Sequence, residues 1–529
     1  MKLKPLHSNG HVSIGINTQI SALIGATLLI GLFALARYGG SWGETDTASF
    51  TQAMRAMVAE SSLVPMNNAY SNGYGYPSLG VWLAQISGMT LASLQLYFAP
   101  LLAPWVVLPA WLLYRELTVS SRTATLATII LLVQPEFLFP LLRGTHEKFT
   151  RGLMLICLFI LVRSLHNHSK LHRFCGYLFA FYLCVFSLIV FNNMLATSFI
   201  TALMVTLLLG RLALHWTGPI SDEESKILLR LIYVIISVLV IAFIFTFYIY
   251  PPAQNQIHVL HTITDRFVAL LLQIEQVSSN PYTVVSTGWV SLPVYFALSL
   301  ANWLLLVISS TIWLSQTSSV IRKLAFKSRN DLLLWAFFGA IALQGILSIF
   351  VDISGAVATN LQHRIFPSFA MMAVPLIAKW VMNREPKSIG LRKRIRIGFV
   401  LGIALLALLA ILKATSEPLL SNKWLFHLPG ERQAILWADK TLAERWVWTG
   451  FDERINTALL IRNVPEDHKV RLDQYDLEPG TRNLLISPVT RLRSLRLGEP
   501  IPSLADDLIT YDNGQAQISH LRPRTPFQR

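Results

Sequence analysis

Apolar runs of about bilayer length recur along the chain as far as residue 413, and no other feature restricts its possible folds so strongly. They lie near residues 15–37, 93–114, 123–141, 151–164, 173–191, 195–214, 228–250, 291–314, 331–351, 363–381 and 397–413. A helix rising 1.5 Å per residue needs about 20 residues to cross the hydrocarbon layer, and most of these runs come close to that length. Lipid offers no hydrogen-bond partners, so each run must pair its own backbone groups and becomes a helix. The predicted fold class is therefore an all-α polytopic membrane protein with about eleven transmembrane helices. Composition agrees: of 529 residues 53% are hydrophobic and only 14% charged, against roughly a quarter charged in a soluble protein.

The first run follows Lys2 and Lys4 and is too long for a signal-peptide core, so it reads as a retained helix. The stretch "SLGVWLAQISG" (78–88) is too short to cross and reads as a re-entrant or interfacial helix. A net charge of +15 raises the question of nucleic acid. The cations, however, fall in short clusters between apolar runs: Arg115 and Arg122; Arg163, Lys170 and Arg173; Arg322, Lys323, Lys327 and Arg329; and "NREPKSIGLRKRIR". That is the positive-inside pattern of a membrane protein, and it argues against a nucleic-acid partner. With the N-terminus in the cytoplasm all four clusters fall inside. The outer connections are then 38–92, 141–151, 191–193, 251–290, 352–364 and everything beyond 414. The expected location is the plasma (inner) membrane.

Two domains follow, a transmembrane domain over 1–413 with a long first outer loop (38–92), and an extracytoplasmic domain over 414–529. The second is charged and lacks a spanning run. Its "ERQAILWADKTLAERW" reads as an amphipathic helix and "WVWTGF", "TALLIR" and "NLLIS" as strands, a small α/β module. Cys157, Cys175 and Cys184 all lie in apolar runs, so they form neither a metal cluster nor a disulfide framework.

The polar oddities gather on the outer side. "GGSWGETDTASFTQAMRAMVAESS" (39–62) places Glu44 and Asp46 just after the first span. Asp46 or Thr47 can cap a helix whose Phe50, Met54, Met57 and Val58 form an apolar stripe, and an outward carboxylate can equally serve as a general base or metal ligand. Both readings stand together. "AYSNGYGYPSLGVW" carries Gly73 and Gly75 for a tight turn and Tyr70, Tyr74 and Tyr76, rings suited to interfacial anchoring or to stacking on sugar. "RGTHEKFTR" (143–151) concentrates Arg143, His146, Glu147, Lys148 and Arg151 on an outer loop, against the charge bias; a loop this short can carry them as solvated charge at a helix end, and Arg151 reads so. An anionic lipid phosphate would balance them, and His146 with Glu147 would complete a metal site with Asp46. Arg364, beside His363 in "NLQHRIFPSF", either snorkels or contacts a phosphate. Asn192 and Asn193 read as caps, and Trp424, Trp437, Trp446 and Trp448 as core or interface residues.

With its E-x-D of Glu44 and Asp46 in a long first outer loop, a helix after it and an acidic, His-bearing second loop, the chain resembles the C-type superfamily of integral-membrane glycosyltransferases (GT-C). Its turn of tyrosines and proline before a short helix and its C-terminal module look most like the arabinofuranosyltransferases of actinobacterial cell-wall synthesis, a cell-envelope polysaccharide biosynthesis, and no acceptor motif separates these from mannosyltransferases of the protein O-glycosylation type or from lipid-A aminoarabinose transferases. The resemblance implies transfer of a sugar from a polyprenyl-phosphate donor to a glycan, lipid or protein acceptor on the outer face. Asp46 would be the general base, aided by Glu44. Arg143, Lys148, Arg364, His363, Tyr74 and Tyr76 would bind substrate, and His146 and Glu147 would hold a divalent cation, Mg or Mn. Two other functions compete. A transporter or lipid flippase would place ionisable groups near mid-membrane, where the apolar runs carry almost none. A ligase or polymerase of lipid-linked polysaccharide would expect its long loop late in the chain.

Overall fold

The computed structural model describes residues 15–43, 45–66, 69–166, 171–217, 222–272, 292–322, 326, 328–353, 361–383, 389–414, 426–442, 447–449, 454–462, 472–473, 482–497, 501 and 508–521. Helix α1 (Ile16–Tyr38) is the first span. Helices α2 (Thr45–Glu60) and α3 (Gly75–Ser87) lie in the connection between the first and second spans, α3 being the short run of 78–88. The turn between them closes at Gly73, with φ of +143°, where an added Cβ would lie 2.1 Å from the carbonyl oxygen of Val190. Only glycine tolerates that backbone and that approach.

The second span, Leu91–Thr118, is irregular. It begins as α4 (Leu91–Ser93), widens to a π turn over Leu94–Phe98, tightens to 3-10 winding over Ala99–Val106 and ends as α5 (Val107–Thr118). Pro100 and Pro104 lack the N–H groups that α winding needs there. The run expected at 123–141 is two helices, α6 (Ser121–Leu132) and α7 (Pro135–Leu142), bent by 74°. Pro135 pushes Gln134 into extended backbone, φ −78° and ψ 120°, which ends the first helix. The remaining spans are α8 (Glu147–His166), α9 (Leu171–Phe191), α10 (Asn193–Thr217) and α11 (Asp222–Ile244), the last continued by a π turn over Phe245–Ile249. After α12 (Asn255–Leu271), which is not a candidate span, come α13 (Leu292–Ile321), α14 (Arg329–Ile353), α15 (Leu361–Asn383) and α16 (Ile389–Ala414). Ten helices among the described residues are long and apolar enough to cross a membrane, eleven with the bent pair, as expected.

Burial sorts these helices. Of their most apolar windows, 72% of α8 and 67% of α15 is buried against 17% of α1 and of α16, so the first two are central and the others face lipid. Trp111, Tyr114, Leu155 and Met371 fill the core, and the Tyr114 hydroxyl donates to the Met371 carbonyl at 2.9 Å. At one end of the bundle, Glu116 of α5 accepts from Arg163 through both oxygens at 3.0 Å and meets His166 Nδ1 at 2.9 Å. Asn330 of α14 bonds His166 Nε2 at 2.8 Å and donates to the Glu116 carbonyl at 2.8 Å, tying α5, α8 and α14 together. At the other end the Asp352 carboxylate accepts from the N–H groups of Leu361 (2.6 Å) and Gln362 (2.9 Å), covering the start of α15. There too Glu136 of α7 and Lys413 of α16 form a buried ion pair.

The C-terminal module contains α17 (Pro429–Thr441), α18 (Arg454–Arg462), α19 (Pro488–Leu497) and a five-stranded sheet. Its strands β1 (Val447–Thr449), β2 (Leu472–Asp473), β3 (Arg482–Ile486), β4 (Leu508–Asp512) and β5 (Gln517–Leu521) lie in the order β2-β1-β3-β5-β4. Strand β1 runs parallel to β2 and β3, while β5 is antiparallel to β3 and β4. The α/β reading holds, with one correction: "TALLIR" is not a strand but the end of α18. A crossover between parallel β1 and β2 takes a helix, and the burial of Ala458 and Ile461 at helical spacing supplies its packed face. Trp437 packs against Tyr511, and "GFDER" up to Glu453 lies outside the described residues.

The Glu136–Lys413 pair makes a stability prediction. Glu136→Gln leaves a buried ammonium without its counter-charge and should cost about 3–5 kcal/mol, whereas joint replacement by Leu and Met should cost far less. Thermal unfolding of purified protein in detergent measures both, and equal losses in the two variants would contradict the account.

Candidate functional site

Helix α2 begins at Thr45, so Asp46 sits inside its first turn and neither it nor Thr47 is the cap expected from sequence. A carboxylate there is favoured by the free N–H groups of the helix start. Phe50, Met54 and Met57 are buried as the stripe requires, but Val58, expected with them, is exposed. The Asp46 side chain is 60% exposed and its Oδ2 accepts from Arg143 Nη2 at 2.8 Å. Glu44 lies outside the described residues.

Arg143 stands on the four-residue connection from α7 to α8. The next residue, Gly144, is wedged so tightly that a Cβ would come within 2.7 Å of Gln95 Oε1 and 2.8 Å of Thr47 Cγ2, which presses the loop onto the start of α2. The guanidinium lies over the Phe139 ring, 5.0 Å from its centre. Burial pulls its pKa down to about 10, with Glu147 opposing and Arg364 adding to the fall. It remains a cation at neutral pH. Lys148, expected to bind substrate, is wholly buried, and its Nζ donates to the carbonyls of Arg143 (2.5 Å) and Ala99 (2.8 Å). The ammonium therefore fastens the loop backbone to the second span.

His146 is buried between the rings of Phe50 and Tyr70, whose centres are 5.0 and 5.7 Å away. Its Nε2 lies 2.5 Å from Asn192 Nδ2. The Asn192 oxygen already accepts from the Leu195 N–H at 2.9 Å, capping α10, so the amide nitrogen must be the donor. Nε2 is then the acceptor and the proton is on Nδ1, which meets no partner. Burial pulls the His146 pKa down to about 4, against Glu147 and with Arg151, Arg143 and Arg364 assisting. The lone pair expected for a metal is occupied by Asn192. Among the described residues no three His, Cys, Asp or Glu side chains converge on one point, so the expected set with Asp46 and Glu147 does not fit a cation.

Arg151, read from sequence as a solvated charge, is buried and donates to Ser368 Oγ and, at 3.0 Å, to the Arg364 carbonyl. It thus sets the first turn of α15, where the Arg364 side chain is exposed. Arg364, Arg143, Arg151 and His146 are the cationic or protonatable groups that act on the Glu147 carboxylate. The His363 side chain lies outside the described residues. Tyr70 joins the cluster: burial raises its pKa to about 12, and Asp46, Glu147 and Arg364 all act on its hydroxyl. Tyr76 is a buried core ring whose hydroxyl donates to Gln95 Oε1 at 2.7 Å, which removes it from the substrate-binding set. Tyr74 packs on Phe245 and Tyr250, again a scaffold contact. The starts of α2, α8 and α15, with the connections that follow α2 and α7, thus bring Asp46, Arg143, Tyr70, His146, Glu147 and Arg364 together at one end of the bundle. Sequence alone did not indicate Arg151, Asn192 or Ser368 as their supports, because each acts through a contact far away in the chain.

No protein-family model matches this chain, and no curated protein matches it significantly. Solved structures do. ArnT from Cupriavidus metallidurans, bound to undecaprenyl phosphate, superposes with a TM-score of 0.54 at 14% identity, over 95% of this chain and 97% of its own. Its apo state gives 0.54 at 12%, over 95% and 98%. The likeness is one of fold: it extends over nearly the whole chain and agrees with the expected polytopic all-α architecture.

The neutral His146 makes stability depend on pH. Between its folded pKa of about 4 and its ordinary value of 6.5 the unfolded chain binds more protons. Stability is thus complete above pH 6.5 and falls as pH drops toward 4. The thermal midpoint should follow that course, and His146→Gln should flatten it over this window; an unchanged slope in the variant would remove His146 as the cause.

Proposed function

We propose that this protein is a membrane glycosyltransferase that moves a sugar from a polyprenyl-phosphate donor to an acceptor hydroxyl on the outer membrane face, with Asp46 as general base. The observation that carries the reading is the Asp46–Arg143 pair: an accessible carboxylate fixed at 2.8 Å by a buried cation, with Arg364 exposed nearby. The fold it shares with ArnT, a structure that holds undecaprenyl phosphate, supports the donor class. Asp46 takes the acceptor proton, and the acceptor oxygen bonds to the anomeric carbon. The bond from that carbon to the phosphate oxygen breaks, and its electron pair leaves with the lipid phosphate. Attack and departure on opposite faces invert the anomeric centre. Arg364 and Arg143 stabilise the growing charge on the phosphate. Lys148 has no part in this step, being committed to two carbonyls, and the mechanism needs no metal ligand from His146.

The site then faces outward and the N-terminus is cytoplasmic. Support comes from the Glu116–Arg163–Asn330 link, which gathers the ends of α5, α8 and α14, beside the predicted cytoplasmic loops, at one end of the bundle. Arg322→Cys, at an exposed position in a predicted cytoplasmic cluster, should react with an impermeant thiol reagent in inverted vesicles only, over the background of the unsubstituted protein, and labelling in intact cells would reverse the orientation.

Purified protein with synthetic polyprenyl-phosphate pentoses and hexoses tests the activity. Asp46→Asn should lower kcat by about 10²–10⁴-fold, and Arg364→Ala should raise the donor KM. Undiminished transfer by the Asn variant would overturn the assignment of the base.

A further inference from the structure

We propose that the C-terminal module positions Asp46, acting through Arg55 and Gln52 of α2. The proposal rests on the reading of Asp46 as the base. At 100° per residue, Ala48, Gln52 and Arg55 share one stripe of α2, and Asp46, Phe50, Ala53 and Met57 share the opposite one. The second stripe faces the bundle, with Phe50 against Tyr70, Tyr76 and His146.

The first stripe faces α18. A helix leaves its last carbonyls without partners and carries partial negative charge there. In α18 these oxygens are taken up from outside: Arg55 Nη1 donates to Leu460 O at 2.6 Å and Nη2 to Ile461 O at 2.7 Å, and Gln52 Nε2 adds a bond to Leu460 O at 3.0 Å. Around this grip Trp42, Ala48, Leu96 and Ile461 form a buried cluster that limits access of water. The backbone closes in as well. A Cβ on Gly43 would lie 2.8 Å from Thr457 Oγ1, and His427 N–H donates to Ser41 O at 2.9 Å.

An apolar stripe alone permits a helix to roll or slide, since burial has little direction. A planar guanidinium held on two successive carbonyls permits one rotation. Because Asp46 lies across the helix from Arg55, that rotation points its carboxylate at Arg143. The module is therefore part of the catalytic geometry without touching substrate.

Full-length Arg55→Ala, Arg55→Lys and Gln52→Ala test this. In Arg55→Ala, amide hydrogen exchange should quicken in α2 and stay unchanged in α14. Its kcat should fall about 10- to 100-fold, in line with an ångström-scale misplacement of a reacting group, with the donor KM unaltered. Arg55→Lys should recover part of the loss, and Gln52→Ala should act in the same direction more weakly. Unchanged exchange in α2 would overturn the clamp. Quickened exchange with unchanged kcat would overturn its link to catalysis. Should Arg55→Ala loosen the whole chain, Gln52→Ala decides by the same two outcomes. Full transfer by Asp46→Asn would remove the base, and the exchange measurement would still decide whether the module holds α2.

Discussion

A guanidinium taken out of water must be given partners, and one end of this bundle is organised around that requirement at Arg143. Its side chain is 9% exposed, and the pair with the Asp46 carboxylate is the ionic contact that meets it. A buried cation that lost this partner would face a desolvation cost of several kcal/mol. The consequence is mutual. Arg143 holds the first outer loop to the second through Asp46, and Asp46 gains a fixed direction while staying open to solvent on its other side. Gly144, pressed on Thr47, and Lys148, bonded to the Arg143 carbonyl, keep the loop from yielding instead.

The two partners are held by different parts of the chain. Arg143 follows α7, which the Glu136–Lys413 pair joins to α16, the last span. Asp46 starts α2, which α18 grips through Arg55. Both supports arise from the C-terminal third of the sequence, so the geometry of the Asp46–Arg143 pair, in its first third, depends on contacts that span 277 and 405 positions. Such long closures cost chain entropy, but the cost grows only slowly with length, and burial within the bundle offsets it.

What the sequence made legible follows from the range of each force. The spans could be counted because hydrophobic burial acts residue by residue and needs no partner. The bend at Gln134 was missed because apolarity continues through Pro135, although the proline itself carried the signal. The strand reading of "TALLIR" failed because an apolar run this short does not separate strand from helix, and the parallel crossover decides it. Lys148 and Arg151 were misread for a different reason. A cation near a helix end is ordinarily solvated, and only the fold shows that Ala99, Ser368 and the Arg364 carbonyl stand ready to receive these two.

The cations of "RGTHEKFTR" were first conspicuous because they defy the charge bias of outer loops, and the structure divides them by task. Lys148 and Arg151 spend their hydrogens on protein oxygen atoms and have become framework, and His146 is kept neutral by burial. Among these described residues the cations left to act beside the Asp46 carboxylate and the Tyr70 ring are Arg143 and Arg364. A site built in this way suits a substrate that brings one concentrated negative charge to the membrane surface together with a neutral group to be attacked. A densely basic surface would hold any polyanion, whereas two cations beside one carboxylate discriminate, because Asp46 repels a second negative charge.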